Sequence, residues 1–120
     1  MNFFSYYFTR NNVHFRVGIS RREFEFIVRK YKLTDIITTL VKIKDKDSDP
    51  ITFESDGITV VTVGYNTLLK FFFIAENFDG KHFHRMLECP IDIDGLINIV
   101  QRAKNSVTSG MSGGSSSDEE

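Results

Sequence analysis

Residues 51–89 decide the fold and read ITFESDGITVVTVGYNTLLKFFFIAENFDGKHFHRMLEC. Short runs of β-branched and aromatic residues alternate there with the turn-forming groups SDG, GYN and NFDGK, a pattern typical of antiparallel strands joined by short turns. The continuous apolar run from Phe71 to Ile74 indicates a central strand that is covered on both faces. Pro90 ends the last strand. The segment therefore predicts an antiparallel meander.

After the meander, the chain predicts one helix and then a tail. Asp92 or Asp94 is placed to cap a helix whose apolar residues are Leu96, Ile97, Ile99 and Val100. From Ser106 to Glu120 the chain is rich in Ser and Gly, has no apolar periodicity and ends in acids. We therefore expect a single globular domain over residues 1–105 and a disordered acidic tail over residues 106–120.

Before the meander, residues 3–9 and 13–19 are rich in aromatic and β-branched residues and are separated by RNN, which predicts a β-hairpin. Ser20 and Glu23 have the spacing of a capping box. Four apolar residues then recur at helical spacing, namely Phe24, Ile27, Val28 and Tyr31. This pattern predicts a helix over residues 21–32 with these four side chains facing the core.

Residues 35–44, DIITTLVKIK, allow two interpretations. Six of the ten are β-branched, which favours a strand, whereas Thr34 is placed to cap a short helix. We predict a strand. The fold class is then α+β: an antiparallel sheet of six or seven strands, one helix after the first hairpin and one C-terminal helix. The alternative is a small β-barrel with a C-terminal helix, the layout of pleckstrin-homology domains.

Composition and charge indicate the cellular location and the kind of partner that we expect for this protein. Cys89 is the single cysteine, the start of the chain has no basic segment before its aromatic run, and the longest near-apolar run, Leu68–Ala75, is far too short to span a bilayer. We expect a soluble intracellular protein of the cytoplasm or nucleus with no membrane span. Residues 1–44 contain nine bases and three acids, which favours an anionic partner for this part of the chain.

The N-terminal quarter of the chain holds the candidate binding residues. Aromatic rings there interleave with cations, and sheets that bind single-stranded nucleic acid pair stacking rings with cations in this way. The candidate residues for a partner or nucleic acid are Tyr6, Phe8, Arg10, Phe15, Arg16, Arg21, Arg22 and Arg29. An exposed edge strand would also allow a homodimer by strand pairing.

The histidines raise the question of a metal site. His82 and His84 lie two residues apart, so on a strand both point to one face and can both ligate a metal. With Glu88 and Gly95 they form a pattern that resembles part of the first signature of the cupin β-barrel family, which would imply a metal-dependent enzyme. However, Glu76 stands where that family has a glycine, and no histidine follows His84. We therefore treat the match as chance and expect no metal site.

Three functional hypotheses follow from these observations. The first is a non-enzymatic protein-binding module, without a cofactor, that binds another protein and self-associates through a sheet edge. The second is a single-stranded nucleic-acid-binding protein that uses the N-terminal rings and arginines. The third is a metal-dependent enzyme at His82 and His84. The sequence contains no Gly-x-Ser-x-Gly, Walker or dinucleotide-binding motif, which disfavours the common enzyme classes.

Overall fold

The computed structural model describes residues 2–56, 59–78 and 86–109, in which seven strands and two helices build the fold. In chain order the elements are β1 (Phe3–Phe8), β2 (Asn12–Ile19), β3 (Arg22–Arg29), a 3₁₀ turn (Lys30–Lys32), α1 (Leu33–Lys44), β4 (Ile51–Asp56), β5 (Thr59–Asn66), β6 (Phe71–Phe78), β7 (Met86–Pro90) and α2 (Ile93–Ser109). Each strand pairs antiparallel with the next along the chain. The α+β prediction is confirmed, and the sheet is open rather than closed into a barrel.

The helix predicted over residues 21–32 is wrong, because most of this segment is strand β3. Ser20 has a φ of 58°, and Ile19 pairs with Arg22, so Ser20 and Arg21 form a tight hairpin turn rather than a helix cap. Phe24, Phe26 and Val28 are buried at every second position. Burial therefore follows the two-residue repeat of a strand rather than the helical spacing, because β3 pairs with β2 along its whole length.

The strand predicted over residues 35–44 is also wrong, because these residues belong to α1. The helix begins at Leu33, one residue before the Thr34 considered as its cap, and buries Leu33, Leu40 and Ile43 at helical spacing. Its β-branched residues have only a weak preference against helix. The free energy gained by packing an apolar stripe on the sheet exceeds that preference.

The meander predicted over residues 51–89 is present as β4 to β7. β6 begins only at Phe71, because Asn66 Oδ1 accepts hydrogen bonds from the N–H groups of Leu68 (3.0 Å) and Leu69 (2.8 Å) and so holds the preceding residues in a turn. Three consecutive residues of β6, Phe73, Ile74 and Ala75, are buried, as expected for a strand covered on both faces. Residues 79–85, with the start of the last predicted strand, lie outside the described residues.

The core lies between one face of the sheet and the two helices, which contact each other. A column of stacked rings crosses three strands within it: the centroids of Phe15 and Phe26 are 5.4 Å apart, and those of Phe26 and Phe53 are 4.3 Å apart. Between β3 and β4 the described residues contain a single backbone pair, Ile27 with Glu54. The ring column therefore joins the two parts of the sheet where the backbone ladder is thinnest.

The C-terminal helix is confirmed, but its extent differs from the prediction. α2 begins after Asp92 and continues through Ser109, so residues 106–109 belong to the domain rather than to the tail; residues 110–120 lie outside the described part. Lys44 Nζ of α1 lies 2.7 Å from Asp94 Oδ1 of α2, and this hydrogen bond raises the pKa of Lys44 above its ordinary value. Neither described helix is long and apolar enough to cross a membrane.

Candidate functional site

The predicted aromatic residues face the helices. Phe15 has no exposed surface, so it cannot contact a partner. Tyr6 is half-buried, and its hydroxyl oxygen lies 2.9 Å from Ser106 Oγ of α2. Phe8 packs edge-on against Tyr6 with 5.4 Å between ring centroids. These three rings anchor the first hairpin to the core: Phe15 is unavailable to a partner, and Tyr6 and Phe8 are partly buried against the core.

Arg16 lies on the opposite face of the sheet, where its charge is neutralised. It forms ion pairs with Glu23 and with Glu25, the latter at 3.1 Å from its Nε, on the adjacent strand β3. Its guanidinium also lies 5.9 Å from the centroid of the Phe3 ring. Directly opposed charges on neighbouring strands stabilise the sheet. Arg16 is therefore committed to contacts within the molecule.

The remaining four arginines separate into two pairs. Arg10, in the β1–β2 turn, and Arg29, at the end of β3, lie at one end of the sheet; the β2–β3 turn carries Arg21 and Arg22 to the other end. Because β2 spans eight residues, the two ends are about 25 Å apart at ~3.3 Å per residue. The structure thus does not bring the predicted arginines together into a single surface.

The end that carries Arg10 and Arg29 also gathers residues that the sequence interpretation missed. The backbone N–H of Lys30 donates to the carbonyl oxygen of Asn11 (3.0 Å), which joins the β1–β2 turn to the end of β3. We call the resulting surface the basic end; it comprises Arg10, Arg29, Lys30, Tyr31 and Lys32. Tyr31, predicted to face the core, is 76% exposed. The sequence feature that indicated this surface is the run RKYK, in which three basic residues surround one tyrosine.

A cleft of about 390 Å³ opens beside the basic end. It lies between β3 and β4, where the two strands share the single pair Ile27 and Glu54. Its walls include Arg29, Tyr31, Lys32, Phe53 and Glu54. The cleft thus joins an exposed ring and two cations on one side to a carboxylate on the other.

A second surface is the free edge of β1, which we call the β1 edge (Phe3–Phe8). The N–H of Thr9 donates to the carbonyl oxygen of Asn12 (3.0 Å). This bond shows which residues of β1 direct their backbone groups toward β2, because every second residue of the strand does so. Phe4, Tyr6 and Phe8 therefore direct their backbone N–H and C=O groups away from the sheet. No other strand in the described ranges pairs with β1 on that side.

The predicted metal ligands His82 and His84 lie outside the described residues. The third histidine, His14, stacks on Tyr7 with ring centroids 4.6 Å apart, and its Nε2 lies 3.3 Å from Thr9 Oγ1. Cys89 is a free, half-buried thiol. The described part of the chain contains no group of three or more His, Cys, Asp or Glu residues that could hold a metal ion.

No protein-family model, curated protein or solved structure matches this chain. The β1 edge and the basic end are consequently the two surfaces from which a function can be argued. One offers unpaired backbone groups along an uncharged strand, and the other offers four cations around an exposed ring. They lie next to each other but share no residue.

Proposed function

We propose that the protein is a non-enzymatic protein-binding module that binds a second copy of itself through the β1 edge. The observation that carries this proposal is a free edge strand, FFSYYF, with no charge and no proline. Natural sheets protect their edges with charged side chains, prolines, bulges or covering loops, because an unprotected edge pairs with another strand. An edge without these devices is suited to a partner.

The β1 edge is complementary to itself when two copies pair antiparallel about a twofold axis at Tyr6. Phe4 of one copy then lies opposite Phe8 of the other, and the two Tyr6 residues lie opposite each other. These residues are the ones whose backbone groups point outward, so each opposed pair exchanges two hydrogen bonds. Every ring on the helix side of the strand meets another ring, and no charge meets a like charge.

The expected dimer is weak. Pairing along three residues gives about six backbone hydrogen bonds, each contributing about 0.5–1.5 kcal/mol. Association costs about 4–15 kcal/mol in lost translational and rotational freedom. The opposed aromatic pairs add about 0.2–1 kcal/mol each. The gains total about 4–12 kcal/mol and are close to this cost, so we expect a weak dimer that forms at high protein concentration and separates on dilution.

A symmetric disulfide tests the predicted register. In a Cys89→Ser background, Tyr6→Cys places two thiols on either side of the twofold axis. Their Cα atoms lie about 5.5 Å apart, within the ~4.4–6.8 Å that a disulfide spans. We expect mild oxidation to give a covalent dimer, measured by non-reducing electrophoresis, and light scattering of the unmodified protein to show dimer at high concentration.

The matched control is Ser5→Cys in the same background. Ser5 would lie opposite Tyr7 of the other copy, so two thiols at position 5 are diagonal neighbours at about 7–8 Å and form a disulfide poorly. Equal cross-linking of the two variants would contradict the register. A protein that stays monomeric up to several hundred micromolar would contradict self-association.

A further inference from the structure

We infer that the basic end is a binding site for single-stranded nucleic acid. This inference goes beyond the proposed self-association, because it concerns different residues and a different class of partner. Four cations gather there: Arg10, Arg29, Lys30 and Lys32. Within the described residues none of the four forms an ion pair. Lys30 Nζ lies 5.2 Å from the centroid of the Phe8 ring, a contact that leaves its charge unneutralised. The four charges are therefore available to phosphates, and the acids Glu54 in the cleft and Asp35 in the first turn of α1 leave a positive balance.

Tyr31 supplies the stacking surface that distinguishes this site from a general cationic patch. It lies in the 3₁₀ turn between two cations and is 76% exposed. The turn is held from both sides, because Val28 before it and Leu33 after it are buried in the core. The backbone that carries the ring is consequently held in place, so little backbone freedom is lost when a base stacks on the ring.

The cleft between β3 and β4 indicates where base and phosphate would lie. Arg29 and Lys32 line the side next to Tyr31, and Glu54 lines the β4 side. A carboxylate repels phosphate but accepts hydrogen bonds from the exocyclic amine of a base. The charges thus favour a base stacked on Tyr31 with its edge toward Glu54, while the phosphates contact the cations outside.

The site favours single strands over the other polyanions. Bases in a duplex are stacked within the helix, so their faces cannot reach Tyr31. An acidic peptide would engage the cations but would gain little from the exposed ring. A single strand uses the ring and the cations together, since each base has a face to stack and each linkage has a phosphate to neutralise.

Fluorescence anisotropy with labelled twelve-nucleotide oligodeoxycytidine and oligodeoxythymidine tests the inference, because cytosine carries an exocyclic amine for Glu54 and thymine does not. If four phosphates are neutralised, the slope of log affinity against log salt is about −2.8, so affinity falls about 50-fold between 50 and 200 mM salt. Arg29→Gln with Lys32→Gln should lower affinity at least about tenfold and reduce the slope by about 1.4. Tyr31→Ala should lower affinity about tenfold and leave the slope unchanged, because it removes stacking and no charge.

The matched control is Arg21→Gln with Arg22→Gln, which removes the same charge from the far end of the sheet. At a distance of about 25 Å, well beyond the ~8 Å screening length at physiological salt, it should change affinity by less than about twofold. Equal losses in the two double variants would overturn the inference, as would no binding at 50 mM salt. Polyglutamate binding as tight as oligonucleotide binding, with no effect of Tyr31→Ala, would point to an acidic peptide instead. Circular dichroism verifies that each variant is folded.

Discussion

The two edges of the sheet are built differently. At the β7 edge, the N–H of Ile91 donates to the carbonyl oxygen of Phe72 (2.9 Å), so the alternation turns the backbone of Glu88 and Pro90 outward. Pro90 has no N–H at this outward position, and Glu88 is exposed and charged. At the β1 edge the outward residues are Phe4, Tyr6 and Phe8, all of which keep their N–H groups and carry no charge.

Edge protection is therefore local, and the number of unprotected edges sets the form of assembly. Where a residue directs its N–H away from the sheet, a proline removes no hydrogen bond between strands. Pro90 therefore blocks pairing at the β7 edge without destabilising the fold. One open edge gives a closed dimer about a twofold axis, whereas two open edges allow chains to pair without end. On this basis the protein is expected to stop at the dimer.

The largest expected effect comes from blocking the β1 edge. Tyr6→Pro removes an outward N–H and should raise the dissociation constant of the dimer at least about 100-fold. Because it also removes the ring that packs on Phe8 and Phe15, it is compared with Tyr6→Ala, which loses the same ring but keeps the N–H. Analytical ultracentrifugation measures this change. The matched control is Tyr7→Pro, whose N–H belongs to the ladder with β2; it should destabilise the fold itself by about 3 kcal/mol. A Tyr6→Pro protein that dimerises normally would show that this edge is not the interface.

A smaller effect is expected from unblocking the β7 edge. Pro90→Val with Glu88→Thr restores an outward N–H and removes the charge, which should add species larger than the dimer as the concentration rises. Size-exclusion chromatography with light scattering detects them. Glu88→Thr alone keeps the proline and serves as the control. If the double variant still stops at the dimer, Pro90 is not what protects this edge.

The smallest effect should come from a substitution in β2 that displaces a ring on the face of β1 and leaves the edge of β1 unchanged. A Cβ added at Gly18 would overlap the Phe3 ring, its cross-strand neighbour. Gly18→Ala should therefore lower the free energy of unfolding by about 1–2 kcal/mol, measured by urea titration, because the half-exposed ring must shift. The outward backbone groups stay in place, so the dimer dissociation constant should change by less than about threefold. A large loss of dimer would mean that the face, not the edge, makes the contact.

Local pattern was sufficient for part of the fold. Turn residues between β-branched runs located the meander of β4 to β7 and the first hairpin, and apolar spacing after Asp92 located α2. The central segment was assigned in reverse, with helix in place of β3 and strand in place of α1. Its short apolar runs fit both periods, and only pairing with β2 and packing on the sheet distinguish them.

The candidate surfaces were visible in the sequence only as composition. The sequence FFSYYF shows that this strand is uncharged, but whether a strand lies at an edge depends on the order of strands in the sheet. Tyr31 was expected in the core because its segment was taken as helix. It lies instead in the 3₁₀ turn after β3 and is exposed to solvent. The arginines, grouped by their place in the chain, are separated by the length of β2.

The α+β class, the turns and the lack of charge along β1 can be predicted from the amino-acid sequence, because they follow from backbone preferences and neighbours a few residues apart. The period that the central segment follows, the strand that forms the free edge and the cations that share a surface are set by the packing of the whole domain. These outcomes depend on contacts between residues far apart in the chain, whose burial outweighs local preference.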